Sequence, residues 1–243
     1  MSQQPAARGR GRQQQFRLGD GYHMPHNIAL YAFGIGMVAG VGACTVALSP
    51  APWLWLGLHL TALALFHITE YLVTAMYNYP KLELSSFLIP HSTAYMVANG
   101  LALAEFVTEA VFAPWIQQSI PIWIRLLGIG LLVVGQTART LAMVHASTNF
   151  SHMIEYVKRP SHTLVTTGIY AYLRHPSYFG FFWWGIGSQL LLGNPLSLVS
   201  YALALGKFFR DRISFEERIL IEFFGPTYEA YRARTAVRIP FVG

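Results

Sequence analysis

Arg212 and Glu216 stand four residues apart in the segment RDRISFEER (210–218), so a helix carries both on one face. A guanidinium beside a carboxylate offers one group to an anionic substrate and the other to a cationic cofactor. Read as a plain surface helix, the same segment is a set of solvated i,i+4 pairs worth roughly a few tenths of a kcal/mol each. A second cluster, Arg174-His175-Pro176-Ser177-Tyr178, has a proline suited to the first position of a helix, where its missing N–H costs nothing. His175 and the free amides of that first turn would then face a polar ligand. An interfacial Arg-His anchor ahead of a membrane helix fits the same residues. The third cluster, His162-Thr163-Leu164-Val165-Thr166-Thr167-Gly168-Ile169-Tyr170, is a polar, glycine-containing loop of the kind that offers backbone donors to a ligand, or else a plain connector.

The elements that must position these clusters are membrane helices. Of the 243 residues, 53% are hydrophobic and only 12% charged. A soluble domain is about 25% charged, so the apolar excess needs lipid as its solvent. The net charge of +6 comes from arginines and lysines in tails and between apolar runs, which reads as the positive-inside rule and argues against nucleic acid as a partner. Cys44 is the only cysteine, which excludes an internal disulfide and a thiolate metal cluster. No metal site is expected.

Residues 1–27, with Arg8, Arg10, Arg12 and Arg17, read as a disordered basic tail on the cytosolic side. Residues 28–145 hold four expected spans: Ile28–Leu48, Trp53–Met76, Phe87–Phe112 and Ile120–His145. In the first, Gly34, Gly36, Gly40 and Gly42 favour close helix contact. Residues 146–243 form the catalytic region: a polar connector too long to be idle, two apolar runs (Tyr178–Leu192 and Leu196–Phe209) folded as a hairpin at Gly193-Asn194-Pro195, and a charged amphipathic C-terminal helix broken at Gly225-Pro226. The fold class is therefore all-α, a polytopic bundle of about six membrane segments with the last two a helical hairpin, plus a cytosolic C-terminal helix. Glu70, Glu105, Glu109 and Arg139 lie inside expected spans, where pairing between helices, Arg139 with a glutamate among the options, is favoured over a direct functional role. His67 and His91 read as hydrogen-bonded packing residues rather than metal ligands.

Six segments together carry a family resemblance: FHITEYLVTA (66–75), SSFLIPHSTAY (85–95), STNF (147–150), HTLVTTGIYAYLRHPSYFGFFWWGIGSQLLLGNP (162–195), SYALALGKFFRDR (200–212) and FFGPTYEAYRAR (223–234). The chain resembles the isoprenylcysteine carboxyl methyltransferases, membrane enzymes that esterify the new C-terminal carboxylate of prenylated CaaX proteins. RHPSY alone is shared with phospholipid N-methyltransferases; its spacing from HTLV, together with FFRDR and the following glutamate pair, is more specific.

The resemblance implies S-adenosyl-L-methionine as cofactor, held by His162, Thr163, Leu164, Val165, Tyr170, His175, Pro176, Ser177, Tyr178 and Glu216. It implies a substrate contact from Arg212; as the guanidinium that offsets a carboxylate's desolvation, Arg174 is the second candidate. Where many relatives have glutamine early in the connector, this chain has Glu155. The resemblance also implies a place in the endoplasmic reticulum membrane and partners that are processed prenyl proteins in a lipid bilayer. The N-terminal arginines and the count of about six segments put both termini in the cytosol. It does not choose farnesyl over geranylgeranyl.

The implied reaction, an SN2 transfer from a sulfonium to a carboxylate, needs no general base. An α-carboxyl has a pKa of about 3.5 and is ionised at neutral pH. Glu216 would therefore stabilise a cation rather than remove a proton. Desolvating the carboxylate needs a compensating guanidinium. Two other readings remain open at this level: a phospholipid or other small-lipid methyltransferase with the same cofactor site, and a non-catalytic membrane scaffold or transporter.

Overall fold

The computed structural model describes residues 19–89 and 92–242. The arginines of the N-terminal tail and His91 lie outside the described residues. Eight α-helices follow in chain order: α1 (Pro25–Leu48), α2 (Trp53–Tyr77), α3 (Thr93–Phe112), α4 (Pro114–Ser119), α5 (Ile122–Ala146), α6 (Pro176–Leu192), α7 (Pro195–Phe224) and α8 (Pro226–Arg234). Prolines 25, 114, 176, 195 and 226 each sit at the start of a helix, where φ is already right and no hydrogen bond is lost. Among the described residues there is no strand, only an isolated bridge between Ile239 and Val242. Four stretches are long and apolar enough to cross a membrane: α1, α2, α3 and the stretch Ile122–Asn149, which contains α5. This is a multi-pass membrane protein.

Three boundaries depart from expectation, each for a local reason. Residues 19–24, expected in a disordered tail, form a turn built on fully buried Asn27. The Asn27 side chain accepts from Gly19 N (2.9 Å) and donates to Asp20 Oδ1 (2.6 Å) and Tyr22 O (2.9 Å). The third span begins at Thr93 rather than Phe87. Residues Leu84–Phe87 instead form a 3-10 turn that ends with Leu88 at φ +56°, and Ser92 then caps α3 by accepting from Tyr95 N at 3.1 Å. The last membrane segment and the charged C-terminal helix are one element: α7 runs unbroken for 30 residues, about 45 Å at 1.5 Å per residue. Nothing between Leu196 and Phe224 breaks it until Gly225, at φ +52°, and Pro226.

α5 packs most extensively on α6, and α1 on α2. The α5–α6 seam is nearly backbone to backbone. A Cβ on Gly135 would come within 2.6 Å of Gly180 O, and one on Gly180 within 2.5 Å of Gly135 O. In lipid such close approach replaces the missing hydrophobic drive between helices. Of the four α1 glycines, only Gly42 makes such a contact, against Gly57 of α2; Gly34, Gly36 and Gly40 face open space. Gly180→Ala is therefore expected to cost about 1–3 kcal/mol through overpacking, lowering the thermal unfolding temperature in detergent, while Gly34→Ala leaves it unchanged. Equal shifts from the two variants would contradict the seam.

Candidate active site

One cavity of about 1030 Å³ opens between the 149–165 connector, the start of α6, α7 and the first half of α3. The twelve residues assigned a catalytic, cofactor or substrate role from the sequence all line it: His162, Thr163, Leu164, Val165, Tyr170, Arg174, His175, Pro176, Ser177, Tyr178, Arg212 and Glu216. Thr166, Thr167, Gly168 and Ile169 of the third cluster do not. The cavity has two characters. Its polar end is made by the connector, the first turn of α6 and the outer half of α7. Its apolar end lies between α3 and the membrane half of α7, beside Leu101, Tyr201, Ala204, Leu205 and Phe208.

Arg212 and Glu216 meet where the two ends join, and a third side chain stands between them. The Tyr178 hydroxyl donates to Glu216 Oε2 at 2.5 Å and accepts from Arg212 Nε at 2.9 Å. Arg212 Nη2 also donates to His152 O at 2.8 Å. Its guanidinium carbon lies 5.3 Å from the Tyr178 ring and 5.9 Å from the Phe208 ring. These contacts fix the plane of the guanidinium and leave its Nη1 group for a ligand. The sequence spacing put Arg212 and Glu216 on one face; it did not show that a phenol would keep them from closing into a salt bridge.

Arg174 has a different place. Its Nε donates to Glu217 Oε1 at 2.6 Å, and its Nη1 donates to Arg232 O and Thr235 O. The buried guanidinium thus ties the start of α6 to α7, to α8 and to the segment that follows α8 (235–242, the C-terminal strap), so the geometry favours Arg212 over Arg174 for a substrate carboxylate. His175 shares the same partner, 3.2 Å from Glu217 Oε1, and stacks on Tyr178 with ring planes 7° apart. Arg232 Nε approaches Glu217 from outside at 3.1 Å. Burial works against ionising Glu217, yet the hydrogen bonds and charges of His175 and Arg174 outweigh it and hold the carboxyl down to about 2. Glu217, part of the glutamate pair but assigned no role from the sequence, is the hub that sets His175 and, through the ring stack, Tyr178.

The connector closes the polar end as a strap. Lys158 donates to Phe223 O and lies 4.6 Å from the Phe224 ring. His162 sits against Phe223 and Phe224, at 5.8 and 6.2 Å between ring centroids. Thr163 N donates to Asn149 Oδ1 at 2.9 Å. At the other end Lys81 bonds Phe150 O (2.9 Å) and Glu155 (2.7 Å), and Arg159 adds a second pair to Glu155 at 3.3 Å. Two cations therefore engage Glu155, and the hydrogen bond from Lys81 above all lowers its pKa.

The acidic residues in the spans all have partners. Arg139 donates through Nε and Nη2 to the two oxygens of Glu70, at 2.5 and 2.9 Å, and through Nη1 to Ser177 Oγ at 3.0 Å. Glu105 receives the first amides of α7, Leu196 N (2.8 Å) and Ser197 N (2.7 Å). Glu109 receives Gln117 Nε2 at 2.8 Å, and Gln117 in turn accepts from Arg125, which also binds the last carbonyls of α6. His67 is hydrogen-bonded to Phe87 O (2.8 Å) and Tyr95 OH (3.2 Å).

The polar end can hold both charges of a zwitterionic ligand. The first amide of α6 to close a helical bond is Phe179 N, to His175 O at 3.0 Å, so the Ser177 and Tyr178 amides stay open toward an anionic group. Glu216 lines the same cavity, bonded to the Tyr178 hydroxyl, and offers a carboxylate to a cationic one. Among the described residues His162 Nδ1 has no hydrogen-bond partner; buried in the cavity wall, it is a donor or acceptor available to a ligand.

A helical membrane bundle whose cavity joins a polar chamber to an apolar trough, with an arginine and a glutamate at the joint, is the frame of a lipid-directed intramembrane enzyme. The profile of the isoprenylcysteine carboxyl methyltransferase family matches residues 127–222. The Homo sapiens protein-S-isoprenylcysteine O-methyltransferase is 43% identical over 217 residues, covering 89% of this chain and 75% of that protein. The Saccharomyces cerevisiae protein-S-isoprenylcysteine O-methyltransferase is 42% identical, over 89% of this chain and 92% of its own. The solved structure of a eukaryotic intramembrane Ras methyltransferase, an isoprenylcysteine carboxyl methyltransferase, superposes with a TM-score of 0.85 at 35% identity, covering 89% of this chain and 77% of that one. The chain belongs to the isoprenylcysteine carboxyl methyltransferase family.

Proposed function

We propose that this protein methylates the α-carboxylate of a C-terminal prenylcysteine on processed CaaX proteins, with S-adenosyl-L-methionine as methyl donor. The observation that carries the proposal is the joint of the cavity: Arg212 and Glu216, separated by the Tyr178 hydroxyl, at the meeting of a polar chamber and an apolar trough. The chamber fits the donor. The open amides at the start of α6 suit its carboxylate, Glu216 suits its cation, and His162 through Val165 with Tyr170 enclose the remainder. When bound, S-adenosyl-L-methionine supplies an electrophilic methyl on a sulfonium.

The chain's own residues do the rest. Arg212 holds the substrate carboxylate through Nη1, offsetting its desolvation without a proton transfer. Tyr178 and Phe208 keep that guanidinium in plane, so the carboxylate is oriented rather than merely attracted. The 149–165 strap excludes water on the cytosolic side. The trough beside α3 receives the prenyl chain, each buried CH₂-sized unit contributing about 0.8 kcal/mol. The α6–α7 hairpin supplies two further membrane segments, about six in all, with both termini and the outer half of α7 cytosolic at the endoplasmic reticulum.

Incubation with labelled S-adenosyl-L-methionine and N-acetyl-S-farnesylcysteine is expected to give a base-labile methyl ester; its absence would sink the assignment. Glu216→Ala is expected to raise the KM for the methyl donor about tenfold or more, the loss of one charge-assisted contact, with a smaller change for the prenyl acceptor. The opposite split would refute the role given to Glu216.

A further inference from the structure

The face of α7 turned away from the cavity carries a second, smaller pocket of about 420 Å³. Arg210, Ser214, Glu217, Arg218 and Ile221 recur along one stripe of the helix, and Arg232, Phe241 and Val242 close it from α8 and the C-terminal strap. Its charge is lopsided. Glu217 is the one acid in the lining, and Arg174, His175 and Arg232 already engage it. Among the described residues, no carboxylate lies within ion-pair distance of Arg210 or Arg218. Arg210 reaches only Phe241 O, at 3.4 Å, and Arg218 only the Phe215 ring, at 5.5 Å. Two guanidinium forks with unused donors, beside the Ser214 hydroxyl, are suited to a phosphate, which they can grip bidentately.

The borders of the pocket say where that phosphate comes from. Ile213, Ile221, Phe241 and Val242 give it apolar edges, and Phe241 is 92% exposed. Lys207 is the first charged residue of α7, so Arg210 stands one turn beyond the apolar half of the helix. A basic pocket with an apolar rim at that level matches a lipid headgroup with its chains alongside.

We propose that this pocket binds the phosphate of an anionic phospholipid, on the side of α7 opposite the methyl-transfer cavity. The proposed phosphate contacts, Arg210 and Arg218, do not line the methyl-transfer cavity; Glu217, which borders the pocket, reaches that cavity only through Arg174 and His175.

The test is native mass spectrometry of the purified full-length protein with phosphatidic acid, and in parallel with phosphatidylcholine. The wild type is expected to retain phosphatidic acid at least about fivefold better than phosphatidylcholine, with the difference lost at high salt. Arg210→Gln and Arg218→Gln are each expected to weaken phosphatidic acid retention about fivefold, leaving donor binding in the cavity unchanged. Arg218→Lys, which keeps the charge and loses the fork, should fall between and serves if the glutamine variants do not fold. Equal retention of the two lipids by the wild type, or unchanged retention in Arg218→Lys and both glutamine variants, overturns the site. Stabilisation by inorganic phosphate without phosphatidic acid binding overturns the lipid as its source.

Discussion

Arg212→Ala is expected to lower kcat/KM for prenylcysteine methylation by about 10²–10³-fold, through lost binding and orientation of the acceptor carboxylate, whose charge fades rather than builds as the methyl is transferred. The size follows from what surrounds the side chain. Arg212 is held by Tyr178 OH, His152 O and the Tyr178 and Phe208 rings, so its free amino group is already aimed before substrate arrives. Alanine leaves the carboxylate partly desolvated beside Glu216, with like charges facing each other. Arg212→Lys restores the charge but cannot reach both the tyrosine hydroxyl and the substrate, so it should recover only part of the loss. Binding of the methyl donor, measured by calorimetry, should change little, because Glu216 and the α6 amides remain. A phospholipid amine acceptor would need no arginine; near-normal turnover of Arg212→Ala would therefore favour that chemistry and sink the carboxylate reading.

The local signals in the sequence were of two kinds, and they carried different distances. Apolar runs placed the first, second and fourth spans to within a few residues, and Pro176 the start of α6, because both signals act through the local backbone and the surrounding solvent. The third span starts six residues later than its apolar run, at Thr93. The i,i+4 spacing of Arg212 and Glu216 is likewise geometry that a helix enforces. What the spacing left out is tertiary. Tyr178 arrives from α6, His152 from the connector, and neither has a sequence relation to Arg212 that any periodicity detects. Arg174 shows the reverse case: next to His175 it looked like a substrate contact, and only Glu217 and the Thr235 carbonyl, distant in the chain, show its place between helices. The unbroken α7 was missed because its composition changes at Lys207 while its backbone does not. A change of solvent along a helix resembles a boundary in sequence, although no residue there stops the helix.

Glu70 and Arg139 supply the second large effect. Both are buried, and Arg139 spans from the two oxygens of Glu70 to Ser177 Oγ in the first turn of α6. Glu70→Ala leaves a guanidinium among Phe66 and Phe181 with no counter-charge. Breaking such a pair from one side costs about 3–5 kcal/mol, so the variant should show a large drop in unfolding temperature in detergent, followed by tryptophan fluorescence. Replacing both partners with apolar residues of similar size, Glu70→Leu with Arg139→Met, removes the stranded charge and is expected to recover most of that stability. Activity should not recover with it. His152 lies 3.9 Å from Glu70 and 3.4 Å from the Thr74 hydroxyl, and its carbonyl is what holds Arg212. The contacts suit the pair to two separable tasks: neutralising charge inside the bundle, and holding Ser177 at the start of α6 and His152 of the connector in place. A double variant that regained stability and full turnover together would reduce the pair to a structural ion bridge. One that regained stability while staying weak in turnover would place it beneath the site as a positioning element.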